Sequence, residues 1–541
     1  MVAASTSQSV LRSWQVGNPS VPRSKANAAH VSKICCILKK ANASQPFGFQ
    51  NPTGLPHSLA TRSHCHLRRE SFHVRCSNAA EAVAAKQHPA KKHHDKRHEH
   101  HKATEDVGII EWLKENGAEQ PQVALKDKKV HGQNERPIHV LVAAEDLKAG
   151  HKALSIPDNL VVTLERVLGD ENVAELLTTN KLSELACLAL YLMYEKKRGR
   201  ESFWFPFIRE LDRQRGRGQA AVESPLLWSK DEVDAYLQGS PMKQIVAERL
   251  IGIEREYNEL DTVWFMAGSL FQEYPFDIPT EAFTFQIFKQ AFAAVQASVV
   301  HLQGVNLAKR FALVPLGPPL TSYKSNCRAM LKANAGHVEL EVDRDYEQGE
   351  PIVAWCGPQP NVKLFLNYGF VDEDNPYDRL TVEAALDTKD PLYQQKKAIV
   401  QKNEKMRVQA FQIYRNKEMA AVYEMLPYVR LAHVVEEEAL EDVIFAKGPI
   451  CPVSPCNERA VLNQIRDYTV ERMAGYATTI EEDNKVIGDD KAPPKKRVAS
   501  KLLKLEKKIL RNFLAAVDEL INELPDGSDI PCQGVFPPIF K

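Results

Sequence analysis

No acidic residue occurs between Met1 and Arg69; the first is Glu70. The same stretch is rich in serine and carries scattered arginine and lysine, as in Ser63-His64-Cys65-His66-Leu67-Arg68-Arg69. It also lacks the single apolar block of a secretory signal, because Ile34-Cys35-Cys36-Ile37-Leu38 is short and broken by two cysteines. This combination excludes a secretory leader and predicts an organelle transit peptide over residues 1–76. Cleavage is expected near Cys76, where Val74-Arg75-Cys76 meets Ser77-Asn78-Ala79-Ala80. Long apolar runs are missing too: no stretch approaches about 18 uninterrupted apolar residues, which excludes a spanning helix. Cysteine is scarce, 10 in 541 residues and unevenly spaced, which excludes a secreted disulfide framework. Net charge is absent, with Lys+Arg and Asp+Glu both totalling 70. The balance hides an asymmetry: up to Lys102 there are 16 basic and 4 acidic residues, so the leader carries +12 and the remainder −12. An acidic body argues against autonomous, charge-driven binding of nucleic acid, which needs many Lys/Arg–phosphate contacts.

What is present is enough chain for two to four folded units. Residues 77–103 read as a disordered linker, because 86–102 is charged, free of aromatics and holds six histidines without cysteine partners. Beyond it, Ile109-Ile110-Glu111-Trp112-Leu113-Lys114-Glu115-Asn116-Gly117 has helical apolar spacing and an Asn-Gly stop. Short strands are expected at His139-Val140-Leu141-Val142-Ala143 and Ala153-Leu154-Ser155-Ile156-Pro157, around a Lys148-Ala149-Gly150 turn. Residues 170–300 read as mainly helical. Strands return at Val338-Glu339-Leu340-Glu341-Val342 and Ile352-Val353-Ala354-Trp355, with Gln348-Gly349 as the turn between them. From about 379 to 524 the pattern is helical, interrupted by a Pro- and Lys-rich loop at 492–497. The sequence shows no internal repeat.

Gly349-Glu350-Pro351-Ile352-Val353-Ala354-Trp355-Cys356-Gly357 leads to Asn361 and then to Leu364-Phe365-Leu366-Asn367-Tyr368-Gly369-Phe370-Val371. A strand, a glycine turn, an asparagine and a Tyr-Gly-Phe resemble the C-terminal half of a SET domain. Residues 144–157 resemble that domain's opening hairpin. Glu195-Lys196, Ser202-Phe203-Trp204, Pro206-Phe207-Ile208 and Pro225-Leu226-Leu227-Trp228-Ser229 resemble the helical insert of the Rubisco large-subunit lysine methyltransferase group. Leu426-Pro427-Tyr428-Val429-Arg430-Leu431, Asn457-Glu458, residues 476–483 and Glu506-Lys507-Lys508-Ile509-Leu510 resemble its helical substrate-binding domain. Within the group, 180–194 and 258–270 are most similar to the polymerase-associated branch, the SET-domain proteins of the plastid transcriptionally active chromosome. The resemblance implies an α+β fold: a SET domain of short strands over 104–378, with a helical insert at about 170–285. An all-helical substrate-binding-like domain over 379–525 and a tail at 526–541 follow.

The family's chemistry is methyl transfer from S-adenosylmethionine to a neutral lysine amine, and four features serve it. A Gly-x-Gly turn lets backbone approach the cofactor where side chains would collide; here it falls on Ile138-His139-Val140. An Asn-His pair binds cofactor polar groups; here it falls on Thr321-Ser322, after Pro318 and Pro319, which remove two backbone donors. A first channel tyrosine falls on Cys356. The second tyrosine is kept as Tyr368, the catalytic candidate if the site is active. Beyond these four, a Ser-Arg pair that helps hold a cofactor or ligand carboxylate falls on Ala297-Ser298. The resemblance therefore implies a degenerate site with no resident cofactor, or S-adenosylmethionine if it still works, and no metal.

Three lesser motifs read more plainly. Cys451-Pro452-Val453-Ser454-Pro455-Cys456 has metal-like spacing without a second pair, so it reads as a loop with two free or redox-active thiols. Arg213-Gln214-Arg215-Gly216-Arg217-Gly218 reads as a solvated loop that docks a protein partner, and Pro494-Lys495-Lys496-Arg497 as a solvated loop. The role the resemblance implies is a subunit of the plastid-encoded RNA polymerase complex, contacting its core and associated proteins. Association with plastid DNA would be indirect, and location would be stroma and nucleoid, peripheral to thylakoids. The rival is an active protein-lysine methyltransferase on a plastid protein.

Overall fold

The structure is a computed structural model that describes residues 108–129, 137–170, 173–174, 182–214, 222–270, 284–318, 320–441, 443–445, 454–524 and 539–540. The expected transit peptide, the linker, Arg215–Gly218 of the basic loop, Pro319 and Cys451 lie outside these residues. Among the described helices, none is long and apolar enough to cross a membrane.

The N-terminal part runs α1 (Ile109–Glu115), β1 (Val123–Lys128), β2 (Ile138–Ala143), β3 (Lys152–Pro157), β4 (Val162–Thr163) and α2 (Leu164–Gly169). The helical insert holds α3 (Glu184–Arg198), α4 (Phe205–Arg213), α5 (Lys230–Tyr236), α6 (Met242–Leu270) and α7 (Phe285–Ser298). Strands then return as β5 (Val299–His301), β6 (Phe311–Leu313), β7 (Ser322–Lys324), β8 (Leu331–Asn334), β9 (His337–Glu341) and β10 (Val353–Trp355), closed by α8 (Asn361–Tyr368). The C-terminal part holds β11 (Arg379–Ala385), α9 (Tyr393–Lys402), β12 (Val408–Tyr414), α10 (Glu418–Ala432), α11 (Pro455–Ala474), α12 (Ile480–Gly488) and α13 (Pro494–Asn522).

Local chemistry explains the ends. Asn116 caps α1 and Gly117 continues at φ 90°, a left-handed turn open to glycine. Ser183 starts α3 by accepting the Ala186 N–H, and the helix is then buried on most of its length from Ala186 to Leu192.

Strand pairing departs from the expected hairpins. β2 pairs antiparallel with β1, while β3 pairs with β9 and β8 in a separate three-stranded sheet. β9 and β10 likewise do not pair with each other; β10 runs parallel to β7. The C-terminal domain is helical but not all-helical: β11 and β12 form an antiparallel pair from Arg379↔Tyr414 to Ala385↔Val408. The segment 494–497 is the first turn of α13, not a loop, with Pro494 at N1 where its missing N–H costs nothing.

Among the described residues the apolar side chains gather into two large cores. One fills the SET part, and the other lies between β11, β12 and the C-terminal helices. Helix α13 belongs to both, giving Val498, Ala499 and Leu502 to the first and Leu503, Ile509, Leu510, Phe513 and Val517 to the second. Glu506, 2% exposed, sits within the second stretch. Ser240 Oγ donates to its Oε1 and Tyr476 OH to its Oε2, both at 3.0 Å. Backbone meets backbone beside it: a Cβ on Gly239, at φ +83°, would stand 2.3 Å from the Gly475 oxygen.

Burial pushes the Glu506 carboxyl up from 4.5 to about 7; the two hydroxyls and Arg472 oppose this, and Asp378 adds to it. The folded chain thus holds this proton more tightly than the unfolded chain. Its contribution to stability is full below about 4.5 and is lost as pH rises through about 7, at most about 3 kcal/mol. Glu506→Gln, uncharged at every pH, is expected to melt a few degrees higher than wild type at pH 8 and close to it at pH 4.5. Thermal denaturation at both values checks this; an equal shift at the two would refute it.

Candidate active site

Tyr368 is placed by a knot of hydrogen bonds at the other end of its own helix. Asn361, fully buried at the start of α8, donates its backbone N–H to Asp378 Oδ1 at 2.9 Å and its Nδ2 to Asp378 Oδ2 at 2.7 Å. The same side chain brackets Asp372, donating to its carbonyl and accepting its N–H, both at 3.0 Å. Burial raises the Asp378 carboxyl against these donors. Gly369 ends the helix in the left-handed region at φ 70°. The Tyr368 ring packs 5.6 Å from Tyr323, edge on, and stacks on Phe370 at 6.0 Å. Leu364, Cys356 and Ala297 complete this small cluster.

Cys356 follows β10 and is buried, with its Sγ 3.7 Å from Ser325 Oγ. Nearby Cys327 donates its thiol to the Lys324 carbonyl at 3.4 Å. Burial pushes the Cys327 thiol up to about 12, with Asp343 and Cys356 adding to the effect. A thiol kept protonated in this way is a poor nucleophile at neutral pH.

The sequence-predicted cofactor positions converge. The Leu141 N–H donates to the Leu320 carbonyl at 3.0 Å, and the Ile352 N–H to the Leu141 carbonyl at 2.9 Å. The residues just before Thr321 and just before β10 therefore both meet β2 at Leu141. Ser298, 3% exposed, ends α7, and its neighbour Ala297 touches the Tyr368 cluster.

The groups that would face a cofactor are occupied from within. Ile138 is 4% exposed and part of the core, and Val140 is half-buried. The His139 ring is enclosed: Nδ1 is 2.7 Å from Glu210 Oε2, and Nε2 is 3.1 Å from Arg213 Nη1 and 3.2 Å from Asp127 Oδ1. Its backbone carbonyl accepts from Gln214 Nε2 at 2.9 Å. Thr321 is fully buried and turns its hydroxyl to the Leu316 carbonyl at 3.0 Å, and Leu316 itself has φ 59°. Ser322 is half-buried and donates its N–H to Ile352. Branched side chains, a carbonyl already bonded and an inward hydroxyl do not fit S-adenosylmethionine in the way the resemblance implies.

Several residues of this arrangement had no local signal. Asp127 reaches His139 across the β1–β2 pair, and Glu210 comes from α4, 71 positions along the chain. Arg213 and Gln214 were expected in a solvated loop but close over His139 instead. Tyr323 was signalled only by its place after Ser322. Cys456 is disulfide-bonded, so of the free or redox-active thiols expected there it is not a free one.

Residues 387–510 match the family described as Rubisco LSMT substrate-binding. Among curated proteins the chain is similar to the actin-histidine N-methyltransferase of Xenopus tropicalis, 22% identical over 427 residues, 76% of this chain and 69% of that protein. The Homo sapiens actin-histidine N-methyltransferase is 23% identical over 416 residues, 74% of this chain and 66% of that one. The chain thus spans about two thirds of these relatives' own length. Among solved structures, the SET domain of LSMT bound to lysine and AdoHcy superposes with a TM-score of 0.60 at 20% identity, covering 77% of this chain and 91% of that one. Rubisco LSMT bound to AdoMet gives a TM-score of 0.59 at 20% identity, covering 77% and 92%. In fold the chain is thus similar to the SET domain of LSMT, and its C-terminal segment 387–510 matches the family described as Rubisco LSMT substrate-binding.

Proposed function

We propose that this chain is a SET-fold protein whose methyl-transfer cleft serves as a structural element. In this reading it is a subunit of the plastid-encoded RNA polymerase complex, supporting plastid transcription and chloroplast development. The carrying observation is the enclosure of His139 by Glu210, Asp127, Arg213 and Gln214 at the position where the family opens its backbone to the cofactor. Hydrogen bonds to charged groups are worth about 1.5–3 kcal/mol each. Losing two or three of them weakens cofactor binding by on the order of 10² to 10⁶. The polymerase role is supported by the resemblance to the polymerase-associated branch. A plastid address, in stroma and nucleoid beside thylakoids, is supported by the acid-free, serine-rich leader. The partners are then the polymerase core and its associated proteins, and DNA is reached through them.

One observation favours a second reading, a protein methyltransferase: Tyr368 remains, packed on Tyr323 at the place where the family has its catalytic tyrosine. The two readings separate in one set of measurements. Calorimetry of the full chain with S-adenosylmethionine is expected to show no binding in the micromolar range. Tyr368→Phe, which removes only a hydroxyl, is expected to leave polymerase assembly and plastid transcript levels at wild-type values. Capture from chloroplasts is expected to recover polymerase subunits. Micromolar cofactor binding together with loss of function in Tyr368→Phe would overturn the structural reading in favour of the enzyme.

A further inference from the structure

The segment after β3, the connection between β5 and β6, and the β8–β9 pair enclose a cavity of about 290 Å³. It shares no lining residue with the Tyr368 cluster or with the cofactor positions. Its wall is apolar and buried: Val161, Leu302 and Val338 are 2, 4 and 1% exposed. Backbone bonds between the segments hold that wall. The Asp158 N–H donates to the Gly336 carbonyl at 2.8 Å, the Glu165 N–H to the Ala308 carbonyl at 3.0 Å and the Leu302 N–H to the Arg310 carbonyl at 2.7 Å. A cavity fixed by its own backbone spares a ligand the cost of ordering it. Its size is at the lower end of ligand pockets, about 300 Å³, which suits a small molecule.

Charge at the rim is unevenly paired. Lys309 Nζ lies 3.1 Å from Asp158 Oδ2 and 3.3 Å from Glu165 Oε2, so two carboxylates share one ammonium and one negative charge is left over. These three side chains are 32, 40 and 46% exposed. Ion pairs that open to water are worth little, so they can exchange a partner for a ligand group at small cost. Arg166 carries the opposite surplus. Its guanidinium donates Nη2 to the Asn159 carbonyl at 2.9 Å and lies 5.6 Å over the Trp204 ring, and it meets no carboxylate among the described residues.

An apolar wall beside one spare negative and one spare positive charge is the complement of a small dipolar molecule with an apolar body. We propose that this cavity binds an apolar α-amino acid. Its ammonium joins Lys309 at Asp158 and Glu165, its carboxylate is held by Arg166, and its side chain lies on Val161, Leu302 and Val338. A guanidinium suits that carboxylate because it can give two parallel N–H···O bonds. A simple amine would leave Arg166 unused, and a simple acid would leave the surplus carboxylate unused. This goes beyond the polymerase reading and does not depend on it.

The test titrates the full chain with L-leucine, L-methionine and L-phenylalanine by calorimetry. At least one is expected to bind with a dissociation constant below about 1 mM. Two analogues of whichever binds then remove one charge each; for leucine they are leucinamide, without the carboxylate, and 4-methylpentanoate, without the ammonium. Each is expected to bind about tenfold or more weakly, through loss of hydrogen bonds between charged groups. Arg166→Gln should lower the affinity for leucine to that of leucinamide in the wild-type chain. Asp158→Asn combined with Glu165→Gln should lower it to that of 4-methylpentanoate. Melting curves establish that each variant is folded, and the analogue comparison on the wild-type chain stands without them. No binding by any of the three amino acids up to about 10 mM overturns the proposal. Equal affinity for leucine and leucinamide overturns it in favour of a cation site, and equal affinity for leucine and 4-methylpentanoate in favour of an anion site. Unchanged leucine affinity in a folded Arg166→Gln chain also overturns it, by placing the ligand elsewhere.

Discussion

Gly369→Ala is expected to destabilise the chain by about 3 kcal/mol or more, and to do so through the helix that carries Tyr368. Two costs add. At φ +70° an L side chain is in the left-handed region, worth about 1–2 kcal/mol. The new Cβ would also stand 2.2 Å from the Val222 oxygen and 2.7 Å from the Glu223 oxygen, backbone atoms that cannot rotate away. Overpacking of this kind typically costs about 1–3 kcal/mol. The strain reaches the site because the 222–227 segment and α8 are bound together, with Ser224 Oγ donating to the Leu366 carbonyl at 2.6 Å. Gly349 supplies the control. It has φ +82° but no atom within 4 Å of its built Cβ, so Gly349→Ala should show the backbone cost alone, about 1–2 kcal/mol. Denaturant unfolding of the two variants reads the difference. Equal losses would show that the approach of Val222 to Gly369 does not matter.

Such contacts mark the limit of what the chain's local pattern reveals. The Asn116-Gly117 stop and the strand around Leu340 follow from periodicity and capping chemistry, which act over a few residues. The partners of strands do not, because β2 finds β1 rather than the strand beyond the next turn. β11 and β12 show how a present signal can be misread. Leu380, Val382 and Ala384 alternate inward in β11, and Phe411 and Ile413 do so in β12, yet both sit among helices in the sequence. Pro494 misleads in the other direction, since a proline read as a break is equally suited to a helix start.

The candidate site divides along the same line. Side chains at the cofactor positions are legible as departures one by one: branched residues at 138 and 140, Thr321-Ser322, Cys356. What fills the space they leave is not, because Asp127, Glu210 and Gln214 arrive from β1, the body of α4 and the residue just after it. The outcome is a tied-down polar cluster around His139, where the resemblance implied only a degenerate site. That matters for the reading of function: a loose cleft would mark decay alone, whereas internal hydrogen bonds give the altered segment a structural use.

The C-terminal domain depends in a comparable way on one buried charge pair, and Arg430→Met is expected to cost about 3–5 kcal/mol. Arg430 of α10 grips Glu458 of α11 with both prongs, Nε to Oε2 at 2.6 Å and Nη2 to Oε1 at 2.5 Å. Their side chains are 6% and 7% exposed, so water cannot replace either partner. Removing the guanidinium leaves a carboxylate buried without its cation, and Glu458→Met leaves the reverse; each single change should be severe. The double change to methionine removes both charges and puts apolar volume in their place, which is commonly near neutral for such pairs. The double variant is therefore expected to be more stable than either single one, with a coupling of several kcal/mol in the mutant cycle. Additive losses in the cycle would mean that the two helices are held by their apolar contacts and that the pair contributes little to holding them.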